Sequence, residues 1–154
     1  MSTHVRRAVP ADAVALHTLQ RHLDSPAPAL LDAALSGALG DLLVAVADAP
    51  VGYLLAVDGG PSVPDVDPIP AGRSTVHVAE LVVVPSARRQ GHASALLATL
   101  LSEHPGATVT LTVDPENGAA RSLYDRFGFE VERELPGFFD DGPGLLLVRR
   151  PGVE

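Results

Sequence analysis

The strongest constraint on the fold is a strand–turn–helix pattern over residues 77–101. An apolar, β-branched run that ends at Val84 predicts a buried strand. Pro85 ends this strand because proline lacks the amide donor that a central strand needs. After the turn, apolar residues recur at spacings of three and four and predict an amphipathic helix: Ala93, Leu96, Leu97, Leu100 and Leu101. The sequence therefore predicts a buried strand joined to an amphipathic helix by a short turn.

The turn from Ser86 to Gly91 has the features of an anion-binding segment. A helix N-terminus presents four N–H groups without helical partners and the positive end of the helix dipole. Gly91 lets a ligand approach the main chain closely, and Arg88 and Arg89 add positive charge. The turn is therefore expected to bind an anion such as phosphate. The alternative is an ordinary turn with charged residues.

Two segments resemble those of a known family. The run Arg88-Arg89-Gln90-Gly91-His92-Ala93 resembles the acetyl-coenzyme A pyrophosphate loop of the GNAT superfamily of N-acetyltransferases. Residues 117–129, with an Asn, a Tyr and a closing Gly-Phe, resemble the family's second coenzyme A segment. Neither a nucleotide P-loop nor a dinucleotide-binding glycine motif occurs. The resemblance implies one GNAT-type α+β domain over residues 1–154, with a central mixed β-sheet flanked by about four helices.

Local patterns predict the element order β-α-α-β-β-β-α-β-α-β-β, which matches the layout implied by the resemblance. After the first strand, the predicted elements are a helix to about Leu23 and a helix over 31–39 that is closed by Gly40. Strands over 42–47 and 52–57 precede the strand and helix described above. The remaining elements are a strand over 108–113, a helix capped by Asp114 and ended by Gly128, and strands over 129–135 and 145–149. The strand over 108–113 is expected beside residues 78–84. Residues 58–74 predict a solvated, mobile loop.

The resemblance also implies acetyl-coenzyme A as co-substrate. Its expected contacts are the strand residues Leu81, Val82, Val83 and Val84, the loop residues Arg88, Arg89, Gln90, Gly91, His92, Ala93 and Ser94, and Asn117 and Ala120 in the second segment. His92 is expected to be exposed. No His-x-x-x-His or Glu-x-x-His spacing suggests a metal, so none is expected.

Glu80 is the predicted general base. It is the only acid in an apolar strand of about ten residues, where an unpartnered carboxylate is costly. Burial disfavours the charged form of a carboxyl group and so makes it a better proton acceptor, often through a water. The alternatives are pairing with an arginine or exposure at a strand bulge. His77, three residues earlier, is expected on the opposite face of a regular strand.

Tyr124 is the predicted general acid. A phenol of pKa ~10 can protonate a departing thiolate of pKa ~8.5. Its position beside Leu123 and Phe127 on one helical face is also that of a core tyrosine with a hydrogen-bonded hydroxyl. The Leu-Tyr-x-x-Phe-Gly-Phe match of the resemblance favours the catalytic role.

Composition narrows the other expectations. The absence of cysteine excludes disulfides and an acyl-cysteine intermediate. The net charge of −8 disfavours binding to nucleic acid and favours cationic acceptors. The lysine-free composition is also typical of a GC-rich genome or of a high-salt cytosol. The sequence has no apolar run near 18 residues and no signal segment. We therefore expect a cytoplasmic protein that does not contact a membrane. A monomer and a homodimer are both compatible with the sequence.

The acceptor is expected to be a primary amine. Residues 117–149 most resemble N-terminal acetyltransferases that modify the N-terminal alanine of ribosomal proteins, which implies a protein α-amine. Those enzymes usually have tyrosines where this chain has Phe138 and Phe139. Asp140 and Asp141 would contribute to a small-amine site. The alternatives are therefore a small-molecule amine acetyltransferase and a non-catalytic domain that senses acetyl-coenzyme A.

Overall fold

A computed structural model describes residues 4–23, 26–37, 40–59, 75–139 and 142–151, and within these ranges the chain forms seven strands and four α-helices. The strands are β1 (His4–Arg7), β2 (Asp41–Ala47), β3 (Ala49–Asp58), β4 (Thr75–Val83), β5 (Thr108–Val113), β6 (Glu130–Phe139) and β7 (Gly142–Arg149). The helices are α1 (Ala13–Gln20), α2 (Pro28–Leu35), α3 (His92–Glu103) and α4 (Gly118–Arg126). The predicted element order is confirmed.

The strands form one mixed sheet in the order β1-β2-β3-β4-β5-β7-β6. β4 and β5 are parallel, whereas β1–β2, β2–β3, β5–β7 and β6–β7 are antiparallel. The parallel pair is joined by α3, as parallel neighbours require a crossover connection. The predicted α+β class with a mixed sheet and four helices is therefore confirmed.

The chain divides into two compact units, residues 1–57 with 79–103 and residues 58–78 with 104–154. Strand β4 contributes its first four residues to the second unit and its last five to the first. The domain boundary of 1–154 stays a prediction.

The core of the first unit lies between the helices α1 and α2 and one face of the sheet. Residues two apart on a strand share a face, and the inward residues of β2 and β3 follow that spacing. The buried cluster comprises Leu16 and Leu19 of α1, Leu31 and Ala34 of α2, Leu42 and Val44 of β2, Tyr53 and Leu55 of β3, and Val82 of β4. The buried residues of the two helices therefore face this core.

In the second unit, Thr75–Val78 of β4 pair in parallel with residues 108–111 of β5. This confirms that the strand over 108–113 lies beside the central strand. β7 pairs with both β5 and β6, and Leu135, Leu146 and Val148 form a buried cluster on these strands.

Several predicted boundaries were wrong, each for a local reason. α1 ends at Gln20 rather than near Leu23, because the N–H groups of His22 and Leu23 bond three residues back and tighten the last turn. α4 begins at Gly118, and its cap is Asn117 rather than Asp114. Asp114 instead accepts a hydrogen bond from the Glu116 N–H at 2.9 Å, which makes a turn before the helix.

The last hairpin is also longer than predicted. β6 continues from Glu130 through Phe139, past a register shift between Leu135 and Phe139. β7 begins at Gly142 rather than Leu145. Residues 38–39, 60–74 and 140–141, which include most of the predicted loop and both acids of the Asp-Asp pair, lie outside the described residues.

Within the described ranges, no helix is both long enough and apolar enough to cross a membrane. The cytoplasmic location and the oligomeric state stay predictions.

His77 makes the stability of the protein depend on pH. Its ring lies in β4, where Nδ1 is 2.8 Å from the Thr110 hydroxyl, and burial lowers its pKa to about 4. In the unfolded chain the pKa is ~6.5. Between these pH values only the unfolded chain binds the proton, so lowering the pH from about 6.5 to about 4 reduces the free energy of unfolding, by at most about 3 kcal/mol.

We expect His77→Gln to flatten this part of the curve of unfolding free energy against pH, measured by urea denaturation. The matched control is His22→Gln, since His22 is exposed, and it should keep the slope. An unchanged slope in His77→Gln would contradict the assignment.

Candidate active site

The basic turn between β4 and α3 is arranged as the sequence predicts. Pro85–Ala87 form one 3-10 turn, and α3 begins at His92. Two residues of the turn have left-handed backbones, Arg89 at φ 65° and Gly91 at φ 85°. Apart from Gly91 and its two chain neighbours, no atom of the described residues lies within 4 Å of where a Gly91 side chain would start, so a ligand can approach the main chain there.

The first turn of α3 supplies N–H groups at this point. The Ala95 N–H bonds the Gly91 carbonyl at 2.9 Å, which closes the first helical ring. By helix geometry, the N–H groups of Ala93 and Ser94 have no acceptor within the helix and point out of its N-terminal end. The open approach and these donors fit a pyrophosphate.

Arg88 is fixed to the strand that precedes it. Its Nε donates to the Val83 carbonyl at 3.0 Å, while the residue as a whole is exposed. The guanidinium has further N–H groups beyond Nε, so one edge holds the side chain in place and another remains for a phosphate. Gln90 only reaches the Ser86 carbonyl at 3.5 Å, and both Gln90 and Arg89 are exposed.

The end of β4 lies unusually close to β3. A side chain at Gly52 would begin 2.7 Å from the Val82 carbonyl oxygen and 3.0 Å from a Val83 methyl group, so only glycine fits there. The Val84 N–H bonds the Val51 carbonyl at 2.8 Å, and the Val84 carbonyl accepts from Ala87. The main-chain groups of Val84 are thus engaged within the protein. Leu81, three residues earlier, is half-buried.

One prediction in this segment was wrong. His92 is buried, with only 4% of its surface exposed. As the first residue of α3 it lies on the same helical face as Leu96, and that face is turned inward. Its ring therefore does not extend into solvent with the rest of the loop.

Glu80 is buried in β4, and the contacts of its carboxylate come from three other elements. Tyr53 of β3 donates its hydroxyl to Oε1 at 2.8 Å. Gln20, the last residue of α1, donates its Nε2 to Oε1 at 3.0 Å and to Oε2 at 3.2 Å. The main-chain N–H of Ala27, just before α2, donates to Oε2 at 3.0 Å. Neither of the predicted alternatives, an arginine partner or an exposed carboxylate, is what these contacts show.

The Tyr53 hydroxyl keeps its proton in this environment. Burial and the neighbouring Glu80 carboxylate both raise the pKa of Tyr53 well above its usual value. The phenol is therefore a fixed hydrogen-bond donor at ordinary pH. Glu80 was singled out from the sequence, but its partners Tyr53 and Gln20 were missed. These residues lie 27 and 60 positions before Glu80 along the chain.

The second unit contains the other predicted site residues, Asn117, Ala120 and Tyr124. Asn117 caps α4, since its side-chain oxygen accepts from the Ala120 N–H at 3.1 Å. This contact gives a partner to one main-chain N–H group that lacks an acceptor within the helix, and it uses only the oxygen of the Asn117 side-chain amide. Both residues therefore belong to the first turn of α4.

Tyr124 lies near the end of α4 with its ring buried. The ring packs edge-on against Phe129, with centroids 5.8 Å apart and an interplanar angle of 61°. Burial raises the pKa of Tyr124 to about 12. Within the described ranges no residue hydrogen-bonds its hydroxyl, whereas a buried tyrosine usually finds a partner there. The alternative for Tyr124, a core tyrosine with a hydrogen-bonded hydroxyl, is therefore not what the described residues form.

The sequence pattern of the acetyltransferase (GNAT) family matches residues 12–129. This match covers about three quarters of the chain and includes every residue placed above. The chain belongs to the GNAT family. The match ends before Phe138 and Phe139, whose side chains lie outside the description, so the family assignment does not depend on them.

Among curated proteins, the GNAT chain is similar to a mycothiol acetyltransferase from Clavibacter sepedonicus, with 38% identity over 91 residues. The similarity covers 53% of this chain and 30% of that protein, so the chain spans under a third of that relative's length.

Solved structures show the same fold. Arabidopsis thaliana NAA60 in complex with a bisubstrate analogue superposes with a TM-score of 0.85 at 21% identity, over 99% of this chain and 100% of that one. The ribosomal-protein-S18-alanine N-acetyltransferase from Escherichia coli has a TM-score of 0.75 at 19% identity, over 96% of this chain and 93% of the other. At these identities the likeness establishes the fold of the GNAT chain alone.

Proposed function

We propose that the chain transfers an acetyl group from acetyl-coenzyme A to a primary amine. The observation that carries this proposal is the family match over a β4–turn–α3 unit that has an open glycine, a fixed arginine and free helix-end donors. A thioester acyl donor needs an anchored pyrophosphate, and this turn supplies the charge and the N–H groups for it. Acetyl transfer then requires a proton acceptor for the amine and a donor for the thiolate.

The residues Arg88, Arg89, Gln90, Gly91, His92, Ala93 and Ser94 are proposed to hold the pyrophosphate. Their main-chain N–H groups and the Arg88 guanidinium would provide the contacts, and His92 would contribute through its main chain because its ring is buried. Leu81, Val82 and Val83 are proposed to bind the pantetheine arm through main-chain groups. Val84 is proposed to contact the arm through its half-buried side chain, because its main-chain groups are engaged within the protein. Asn117 and Ala120 are proposed to contribute from the start of α4. No metal is proposed.

Glu80 is proposed to accept the proton of the amine, through a water. The amine must be neutral to act as nucleophile, so its ammonium form has to lose a proton. The donors that contact Glu80 are all neutral, so its negative charge is not balanced by a positive one among these contacts. Tyr124 is proposed to donate its hydroxyl proton to the thiolate. The residue is buried as a whole, and its hydroxyl has no partner among the described residues, which suits a group that contacts a ligand.

A protein N-terminal α-amine is the acceptor we propose. An α-amine has a pKa of ~8 against ~10.4 for lysine, so near neutral pH lysine costs about 3 kcal/mol more to deprotonate. A single carboxylate suffices for the easier amine. The solved structures with this fold include a ribosomal-protein-S18-alanine N-acetyltransferase, whose name supports a protein N-terminus as acceptor.

A small-molecule amine is the second candidate acceptor. It is favoured by one observation, the 38% identity with a mycothiol acetyltransferase over 91 residues. The net charge of −8 suits a cationic amine of either class.

Arg88→Glu is expected to weaken acetyl-coenzyme A binding, measured by calorimetric titration at two salt concentrations. Losing one charge-assisted contact is worth about 1.5–3 kcal/mol, or roughly a tenfold to hundredfold change in Kd, and the wild-type contact should weaken with salt. Arg88→Lys separates charge from the bond to Val83, since it keeps the charge and loses Nε.

The matched control for charge reversal is Arg150→Glu. Arg150 is exposed and pairs with the exposed Glu132, whereas Arg149 is unsuitable because its Nε donates to the Phe127 carbonyl at 2.7 Å. Equal losses in Arg88→Glu and Arg150→Glu would rule out the proposed phosphate contact, and no binding by the wild-type protein would rule out the whole function.

Tyr124→Phe is expected to lower kcat by about 10²–10⁴ while acetyl-coenzyme A affinity stays nearly the same, because only the hydroxyl is removed. With a pKa of about 12, Tyr124 keeps its proton up to strongly alkaline pH. The wild-type rate should therefore show no loss from Tyr124 below about pH 11 in a stopped-flow pH–rate profile. An unchanged kcat, with chemistry shown to be rate-limiting, would make Tyr124 a core residue.

The acceptor is identified by screening the protein with radiolabelled acetyl-coenzyme A against peptides with free N-termini, the same peptides blocked, and a set of small amines. A peptide acceptor predicts label on the free α-amine, lost on blocking and dependent on the first two residues. If the acceptor is a small molecule, no peptide should be labelled, and one class of small amine should be acetylated. Binding without transfer to any acceptor would indicate a sensing domain.

A further inference from the structure

The hydrogen bonds of Glu80 leave its carboxylate fully occupied. A carboxylate has about four lone-pair positions. Tyr53 and Gln20 contact Oε1, and Gln20 and the Ala27 N–H contact Oε2, so each oxygen accepts two hydrogen bonds. A water or an amine that reaches Glu80 must therefore displace one of these donors.

The three donors differ in how easily they can leave. Tyr53 is completely buried, its ring is part of the core cluster, and it makes the shortest contact at 2.8 Å. The Ala27 N–H belongs to the main chain that leads into α2, whose Leu31 N–H in turn bonds the Ala27 carbonyl. Gln20 divides one nitrogen between both oxygens at 3.0 and 3.2 Å, and it does so from the end of α1. Its contact is the longest, and a side-chain rotation can release it.

The geometry points to unequal duties for two positioning residues: Tyr53 holds the proton-accepting carboxylate of Glu80 in place throughout the reaction, and Gln20 covers it until the acceptor arrives. This inference rests on the proposed acetyl transfer and assigns roles to residues that act through Glu80. Among the described groups that face the carboxylate, from α1, from the residue before α2 and from β3, only the Tyr53 phenol titrates, and its proton is retained.

The two roles give different pH profiles. The pH dependence of kcat/KM reports groups of the free enzyme, and that of kcat reports groups of the enzyme with bound substrates. Removing a donor disfavours the ionised carboxylate and moves the acid limb of a profile to higher pH. Tyr53 donates in both states, so Tyr53→Phe should move both acid limbs upward, by about one pH unit or more. Gln20 donates only before the acceptor binds, so Gln20→Met should move the kcat/KM limb and leave the kcat limb in place.

The matched control is Thr99→Val, which removes a hydroxyl that donates to the Ala95 carbonyl within α3 at 2.8 Å and does not contact Glu80. It should leave both limbs unchanged. Tyr53→Phe keeps the ring in the core, and thermal unfolding verifies that all three variants fold. Unmoved limbs in Tyr53→Phe, or a kcat limb that moves equally in Gln20→Met, would overturn the assignment of unequal duties.

A second measurement does not depend on turnover. Carbon-13 NMR can follow the side-chain carboxyl of Glu80 in the free protein, with its resonance assigned by its absence in Glu80→Gln. The midpoint of this titration should lie at higher pH in Tyr53→Phe and Gln20→Met than in the wild type and Thr99→Val. Unmoved midpoints would overturn the inference whatever the acceptor is.

The failure of the inference and that of the proposed function are distinguishable. If no amine is acetylated, the proposed function fails. Shifted NMR midpoints would then show that the hydrogen bonds to Glu80 are structural, and the catalytic roles inferred for Tyr53 and Gln20 would be overturned. If amines are acetylated and Glu80→Gln leaves the acid limb in place, the base assignment and the inference fail while acetyl transfer stands. If Glu80→Gln removes the limb and the variants shift it as described, the inference is supported.

Discussion

The first unit depends on the buried carboxylate of Glu80. A charge taken out of water costs several kcal/mol unless it is paired or hydrogen-bonded, and Glu80 lies in the centre of the sheet with 6% of its surface exposed. Its four hydrogen bonds come from the end of α1, from the residue before α2 and from β3. Each of these segments must therefore be in place for the carboxylate to be satisfied. The apolar core of α1, α2, β2 and β3 packs these elements together, and Glu80 adds a directional requirement that apolar contacts lack.

Much of the fold could be predicted because its signals are local. The proline at 85, the β-branched run before it and the helical spacing after it determined β4 and α3, and the element order followed from similar patterns. Where two local signals competed, the prediction of a boundary was wrong. Asp114 and Asn117 are both good helix caps, and the backbone turn at Asp114 placed the start of α4 three residues later. The first helical residue of α3 was also misjudged, since spacing indicates which residues share a face and not how deep the helix end is buried.

The residues around Glu80 could not be predicted from spacing. In the sequence, Gln20 is an ordinary polar residue after the apolar positions Leu16 and Leu19 of the first helix. Tyr53 is one more large residue in an apolar strand. Their contacts join residues 60 and 27 positions apart, so only the folded topology brings them together. One indirect signal existed: an acid within an apolar strand demands donors from elsewhere, and polar residues that interrupt apolar elements are where such donors can be found.

Burial of Tyr124 has two opposite effects on its proposed role. It raises the pKa of the phenol to about 12, which keeps the proton available over the whole physiological range. It also places that pKa about 3.5 above the ~8.5 of a thiol, so complete proton transfer to a free thiolate is unfavourable by about 5 kcal/mol. The hydroxyl is therefore better suited to donate a hydrogen bond as negative charge develops on the sulfur, a contact that is stronger in a site with little water. The edge-on packing against Phe129 would keep the ring in one orientation for this hydrogen bond.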